Sequence, residues 1–112
     1  MNKPPITTHI LNLETGKPAA EVGVTLYEPD SAAPLASAKT DSDGRVLQWD
    51  NAFMLTTGFY RLHFAVGDWF AKRGQGCFYP EILITFHVAD VDQHYHVPLL
   101  LNAFGYSTYR GS

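Results

Sequence analysis

The sequence predicts an all-β sandwich of about eight short strands, with one short helix near residues 68–74. Apolar and polar residues alternate along several short stretches, which is the period of a half-buried strand. Clusters of Gly, Pro, Asp and Thr separate these stretches at short intervals and favour turns. The length of 112 residues suits a single domain, residues 1–112, with one hydrophobic core.

Four stretches carry the clearest strand pattern, with apolar side chains at every second position: Val22 to Leu26, Tyr60 to Val66, Ile82 to Val88 and Tyr95 to Leu101. Shorter strands are predicted at about 6–12, 35–40, 45–49 and 103–109, and turns at 14–18, 28–30, 41–44 and 57–58. The helix is predicted because Asp68 can cap its beginning and Gly74 can end it.

The composition argues against several classes of function. Eight basic residues are scattered among eleven acidic ones, for a net charge of −3, so the chain lacks the basic patch of a nucleic-acid-binding protein. No apolar run approaches the roughly 18 residues that suggest a membrane span. The single cysteine, Cys77, excludes an intrachain disulfide and a cysteine zinc site.

The N-terminus does not have the charged and apolar regions of a signal peptide, because Met-Asn-Lys-Pro-Pro leads directly into the first predicted strand. This favours a cytoplasmic location. A periplasmic protein in its mature form would begin in the same way.

Two histidines share one face of the predicted strand at 94–101. That face holds His94, His96, Pro98 and Leu100, whereas the other face is uniformly apolar. If the apolar face fills the core, the mixed face lies outside, where it suits a protein interface that encloses a polar cleft. The histidines can then be structural, catalytic, or, together with His9, ligands of a hydrolytic zinc ion.

Longer segments resemble a known family. HYHVPLLL at 94–101 and YSTYRGS at 106–112 together closely resemble the C-terminal signature of the transthyretin-related 5-hydroxyisourate hydrolases. Further segments that look like this family's motifs are THILN at 8–12, GKPA at 16–19, TDSDGR at 40–45 and FYPE at 78–81. The resemblance therefore covers nearly the whole chain.

The resemblance implies the transthyretin β-sandwich and a cofactor-free hydrolysis in urate degradation. The substrate would be 5-hydroxyisourate and the product 2-oxo-4-hydroxy-4-carboxy-5-ureidoimidazoline. It also implies a homotetramer, a dimer of dimers, with active sites at the interface between subunits. The main alternative is a non-catalytic carrier of the transthyretin type, which would have the same fold.

The family motifs imply three catalytic residues. His9 and His96 would handle the proton of the attacking water, and the choice of general base between them stays open. Arg45 would bind and polarise the substrate, since a guanidinium can donate paired hydrogen bonds to a carbonyl-rich anion. Many family members have Asp where Asn12 stands, and a residue at this position can help to orient His9.

The same resemblance makes the C-terminal tail, residues 109–112, part of the substrate pocket through Tyr109, Arg110, Gly111 and Ser112. Gly111 would allow the chain to turn into the cleft, because glycine adopts backbone conformations that other residues resist. Ser112 would present its hydroxyl or a carboxylate. Arg110 would either contact the substrate or anchor the tail.

Overall fold

Residues 3–112 are described in the computed structural model, and they form two β-sheets with one helix between strands of the second sheet. Met1 and Asn2, which begin the segment that predicts a cytoplasmic location, lie outside the described residues. The elements in chain order are β1 (Ile6–Asn12), β2 (Lys17–Pro18), β3 (Gly23–Tyr27), β4 (Pro34–Lys39), β5 (Arg45–Val46), β6 (Gly58–Phe64), α1 (Val66–Lys72), β7 (Ile82–Val88), β8 (Tyr95–Asn102) and β9 (Gly105–Thr108).

The first sheet has the strand order β2-β1-β8-β9, with β5 also paired to β1, and the second sheet has the order β4-β3-β6-β7. The predicted all-β sandwich is therefore confirmed. One of the nine strands found among residues 3–112 was not predicted: β2 lies inside the predicted turn at 14–18. It forms because Lys17 and Pro18 pair with the end of β1, a contact between segments that strand periodicity does not reveal.

The core lies between the sheets and is filled by the alternating apolar residues of the predicted strands. From β8 come Tyr95, Val97, Leu99 and Leu101, all at most 6% exposed. Facing them are the buried side chains of β3, β6 and β7, among them Leu26, Tyr60, Leu62, Phe64 and Ile82. Burying each such side chain stabilises the fold by about 1.5–3 kcal/mol.

The helix α1 is displaced by two residues from its predicted position at 68–74. It begins at Val66 after the N-cap Ala65, and Asp68 lies in its first turn, so the prediction that Asp68 caps the helix is wrong. Burial determines the start, since Val66, Trp69 and Phe70 recur at helical spacing and all face the core. Gly74 follows the end of the helix with a φ of 69°, as predicted for a terminating glycine. No described residue belongs to a helix with the length and apolar character needed to cross a membrane.

A parallel pairing of β1 with β8 organises the first sheet. Seven residue pairs align in one register, which places Thr7 opposite His96 and His9 opposite Pro98. The side chains of Thr7, His9 and His96 therefore share the outer face of the sheet, while Ile6, Ile10 and Tyr95 point into the core.

A tight turn at residues 41–44 presents Arg45 to this outer face. The Asp41 carboxylate accepts hydrogen bonds from the backbone N–H groups of Asp43 (2.9 Å) and Arg45 (3.0 Å), and Gly44 N–H donates to the Asp41 carbonyl (2.9 Å). Gly44 has a φ of 73°, and a Cβ there would lie 2.5 Å from the carbonyl oxygen of Ile10. Arg45 then pairs with His9 across β5 and β1.

We expect Gly44→Ala to be more destabilising than Gly16→Ala. Both glycines have nearly the same positive φ, 73° and 74°, so both variants acquire the same backbone strain. Only at Gly44 would the new Cβ clash with backbone, since nothing lies within 4 Å of one built at Gly16. The free energy of unfolding, measured by urea denaturation, should fall by about 1–3 kcal/mol more for Gly44→Ala. Equal losses would show that the close approach to Ile10 does not constrain the turn.

Candidate active site

A cleft of about 660 Å³ lies on the outer face of the first sheet. Its walls combine charged, imidazole and hydroxyl side chains with a few apolar ones. The lining residues are Lys3, Pro5, Thr7, Arg45, Leu47, Val91, Asp92, Gln93, His94, His96 and Ser112.

The imidazole of His96 is held on two sides within this cleft. Its Nδ1 lies 2.8 Å from the hydroxyl oxygen of Thr7. The Cδ2 edge faces the backbone of Gly111, where an added Cβ would lie only 2.6 Å from Cδ2. No residue in the range 3–112 makes a hydrogen bond with Nε2 of His96. Every buried side-chain nitrogen in the same range has a partner, so Nε2 is open to solvent.

The pKa of His96 is lowered from its ordinary value of 6.5. Partial burial is the main cause, and the positive charge of Arg45 is the second, followed by His9, His94 and Lys3. The imidazole is therefore neutral at pH 7 and able to accept a proton.

His9 lies beside this site on β1, paired with Arg45 on one side and with Pro98 on the other. The cleft-lining residues do not include it. Burial and Arg45 lower its pKa too, against the opposing influence of the Asp43 backbone and of the Asp41 and Asp43 carboxylates. The structure thus brings His9, Arg45 and His96 together on one face, as the sequence motifs imply.

Asn12 does not orient His9, contrary to the expectation from its place in the motif. Its side chain is 3% exposed and alternates to the core side of β1, away from His9. Its Oδ1 accepts a hydrogen bond from the backbone N–H of Glu14 (3.0 Å) and so stabilises the turn that follows β1.

The guanidinium of Arg45 lines the cleft and makes neither an ion pair nor a hydrogen bond with any side chain of residues 3–112. Its backbone alone is fastened, through the Asp41 carboxylate. The guanidinium donors therefore remain available to a bound anion or carbonyl group.

Thr7 is a site residue that the sequence patterns did not reveal. Its hydroxyl lies 2.8 Å from His96 Nδ1 and 2.9 Å from His94 Nε2, although the side chain is only 2% exposed. The parallel pairing of β1 and β8 creates this contact between residues far apart in the chain. Predicting this contact requires the register that places Thr7 opposite His96, and strand periodicity does not provide that register.

The tail reaches the cleft through Gly111 and Ser112. Gly111 pairs with His96, donating its N–H to the His96 carbonyl (2.9 Å), and Ser112 lines the cleft. Gly111 is not among the residues with a positive φ, so its predicted conformational role is wrong. Glycine suits this position because a Cβ there would lie 2.6 Å from Cδ2 of His96 and 3.1 Å from Pro98, so the His96 ring would have to move.

Tyr109 and Arg110 are not among the residues that line the cleft of this chain. They line a neighbouring crevice of about 330 Å³, and His96 lines both the cleft and this crevice. Arg110 donates hydrogen bonds to Gln93 Oε1 (2.8 Å) and to the His94 carbonyl (3.3 Å), and its Cζ lies 4.6 Å from the centre of the Tyr95 ring. These contacts favour the anchoring role over direct contact with a ligand in the same subunit.

A three-ligand metal site is not formed by the described part of the chain. No group of three His, Cys, Asp or Glu side chains among residues 3–112 could hold a metal ion, and this includes His9, His94 and His96. His94 Nε2 and His96 Nδ1 are instead directed at the Thr7 hydroxyl.

Known proteins are similar to this chain in both fold and sequence. The model of the HIUase/Transthyretin family matches residues 6–111. A 5-hydroxyisourate hydrolase of Caulobacter vibrioides is 46% identical over 113 residues, covering 96% of this chain and 97% of that protein.

Solved structures agree with this. The 5-hydroxyisourate hydrolase of Klebsiella pneumoniae superposes with a TM-score of 0.85 at 36% identity, covering 99% of this chain and all of the other. Transthyretin from Sparus aurata gives a TM-score of 0.81 at 25% identity over 96% of both chains. With a family match over almost its entire length and relatives of this similarity, the chain belongs to the HIUase/Transthyretin family.

Proposed function

We propose that this protein hydrolyses 5-hydroxyisourate to 2-oxo-4-hydroxy-4-carboxy-5-ureidoimidazoline, a step of urate degradation. The observation that carries the proposal is the neutral imidazole of His96, held in the cleft beside the guanidinium of Arg45, which pairs with no side chain of residues 3–112. Relatives that cover nearly the whole chain bear the name of this activity.

The reaction begins when His96 Nε2 accepts a proton from water, which attacks a ring amide carbonyl of the substrate. Arg45 donates hydrogen bonds to the carbonyl oxygen and stabilises its developing negative charge. The C–N bond then breaks, and the imidazolium returns its proton to the leaving nitrogen. The ring opens to an N–H group and a carboxylic acid, which releases its proton to solvent as a carboxylate, with one water consumed and no covalent enzyme intermediate.

His9 has a supporting part in this scheme. As the neighbour of Arg45 on β1, it can share the proton of the water once a substrate orders the cleft. His96 is the better candidate for the base, because its imidazole lines the cleft whereas that of His9 does not.

The non-catalytic carrier has less support. The cleft wall holds the ionisable side chains of Lys3, Arg45, Asp92 and two histidines, whereas sites for hydrophobic ligands are lined mainly by apolar groups.

A homotetramer with shared active sites forms part of the proposal. Leu47 and Val91 flank the cleft and are 46% and 45% exposed, which suits burial against a second subunit. Such an arrangement would also let Tyr109 and Arg110 of one subunit approach a cleft of another.

Replacing His96 by Ala should abolish most of the activity. With 5-hydroxyisourate generated in the cuvette from urate and urate oxidase, the wild type should accelerate the ultraviolet decay well beyond the spontaneous rate. The variant should be slower by about 100-fold or more, since general base catalysis contributes 10²- to 10⁴-fold. The control is His63→Ala, because His63 lies on β6 and bonds only Glu81 (2.8 Å), away from the cleft. A folded wild type without activity would refute the proposed function.

The pH profile should show a histidine base whose pKa is lowered. A lowered pKa for His96 means that kcat/KM is constant near pH 7 and falls with decreasing pH only below about 6.5, where the imidazole becomes charged. Arg45→Met removes a positive charge that lowers this pKa. The acidic limb of the profile should therefore move to higher pH, although burial of His96 still keeps its pKa below the ordinary value. A limb that moves to lower pH, or does not move, would contradict the coupling of Arg45 to the base.

Gly111→Ala should reduce kcat because the new Cβ would lie 2.6 Å from Cδ2 of His96 and displace the ring from its present position. We expect a loss of about 10-fold or more, the effect of misplacing a catalytic group by a fraction of an ångström to 1 Å. Gly105→Ala is the matched control on β9, since a Cβ there meets nothing within 4 Å. Full activity of Gly111→Ala would show that the tail does not position the base.

A further inference from the structure

We propose that Thr7 is a positioning residue that selects the tautomer of His96, and that His94 completes a hydrogen-bonded chain His94–Thr7–His96 with the Thr7 hydroxyl at its centre. The inference rests on the proposed function, because it concerns the protonation state that a base at His96 requires. It assigns a role to two residues that the scheme above does not use.

The contacts form a continuous chain of three polar groups. The Thr7 hydroxyl oxygen is 2.8 Å from His96 Nδ1 and 2.9 Å from His94 Nε2, both normal hydrogen-bond distances. Thr7 is 2% exposed, so bulk water has little access to compete for its hydroxyl. The backbone register that sets Thr7 directly opposite His96 fixes the geometry.

Counting protons leaves two directions for this chain. A hydroxyl has one proton, and a neutral imidazole has one N–H. In the first direction, His96 Nδ1–H donates to Thr7 and the Thr7 O–H donates to His94 Nε2. In the second, His94 Nε2–H donates to Thr7 and the Thr7 O–H donates to His96 Nδ1. An arrangement in which both imidazoles donate to Thr7 leaves the hydroxyl proton without an acceptor among residues 3–112.

Only the first direction produces a base. It places the single proton of His96 on Nδ1 and leaves the lone pair on Nε2, the nitrogen that is open to solvent. The second direction places the proton on Nε2, where it blocks proton transfer from water.

The first direction also suits the protonated state that follows. After Nε2 has accepted a proton, both ring nitrogens of His96 are donors, and Nδ1–H still donates to Thr7. The hydroxyl therefore need not rotate during proton transfer, and the site is organised for the charged form before it arises. A ring flip that exchanged Nδ1 and Cδ2 would break the hydrogen bond to Thr7 and turn Nδ1 towards Gly111.

The test compares Thr7→Val, which keeps the shape and removes the hydroxyl, with Thr7→Ser, which keeps the hydroxyl. Thr8→Val is the matched control, because the Thr8 hydroxyl donates to the Val97 carbonyl (2.6 Å) on the core side of the same strand. Should Thr7→Val not fold by circular dichroism, Thr7→Ala replaces it, since a smaller side chain introduces no new clash.

We expect Thr7→Val to lower kcat by about 10- to 100-fold with little change in KM, as loss of a hydrogen bond to a charged group implies. Thr7→Ser should keep kcat within about threefold of the wild type, and Thr8→Val should lose stability without losing kcat. Equal losses of kcat in Thr7→Val and Thr8→Val would reduce Thr7 to a merely structural role and overturn the proposal.

A second measurement is independent of activity. In protein labelled with ¹⁵N in its histidine rings, nuclear magnetic resonance distinguishes the protonated from the unprotonated ring nitrogen. Above the pKa of His96, the wild type should show the proton on Nδ1, and Thr7→Val should lose this preference. A wild type with the proton on Nε2 would refute the inference. Absence of hydrolysis together with an Nδ1 proton would refute the proposed function alone.

Discussion

The parallel pairing of β1 with β8 is the constraint on which the site depends. Side chains alternate along a strand, so a slip of β1 by one residue against β8 would exchange the two faces of β1. Thr7 and His9 would then be buried in the sandwich and Ile6 and Ile10 would lie in water, while His96 on β8 stayed outside and lost its contact with Thr7. The hydrophobic cost of that exchange, about 1.5–3 kcal/mol for each large apolar side chain, holds the register. Packing of the apolar face therefore fixes the positions of the polar side chains on the outer face.

Electrostatics and packing act on His96 in the same direction. Partial burial and the nearby Arg45 both disfavour its charged form. A bound anion would offset the charge of Arg45 and make the imidazolium less costly when it is needed. The substrate itself would thus help to raise the pKa of His96. This pKa depends on all the charged groups around the imidazole and not on any single residue.

Strand periodicity predicted most of the fold because burial on one face leaves a direct mark on the sequence, as at Tyr95, Val97, Leu99 and Leu101. Features that depend on contacts between distant segments left no such mark. These include β2, which exists only by pairing with β1, and the start of α1, where burial of Val66 outweighs the capping signal of Asp68.

The same distinction separates the two parts of the site. His9, Arg45 and His96 were found through motifs, and the structure brings them together. Thr7 was not found, because a threonine in a strand is ordinary until its partner across the sheet is known. The sequence also does not show why position 111 is a glycine, since its close approach to the His96 ring is a tertiary contact and not a backbone preference.

The long separation of β1 from β8 along the chain has a consequence for how the protein is made. Thr7 and His96 are 89 positions apart, and this distance has to be closed before the outer face exists. Pairing of such distant strands is slow, because loop closure reduces chain entropy before the contacts compensate for it. A ribosome that has synthesised only the first 90 residues carries β1 and the Arg45 turn but nothing for them to act with. The cleft therefore cannot form before β8 exists, and a chain that ends before β8 lacks His96 and its pairing with Thr7.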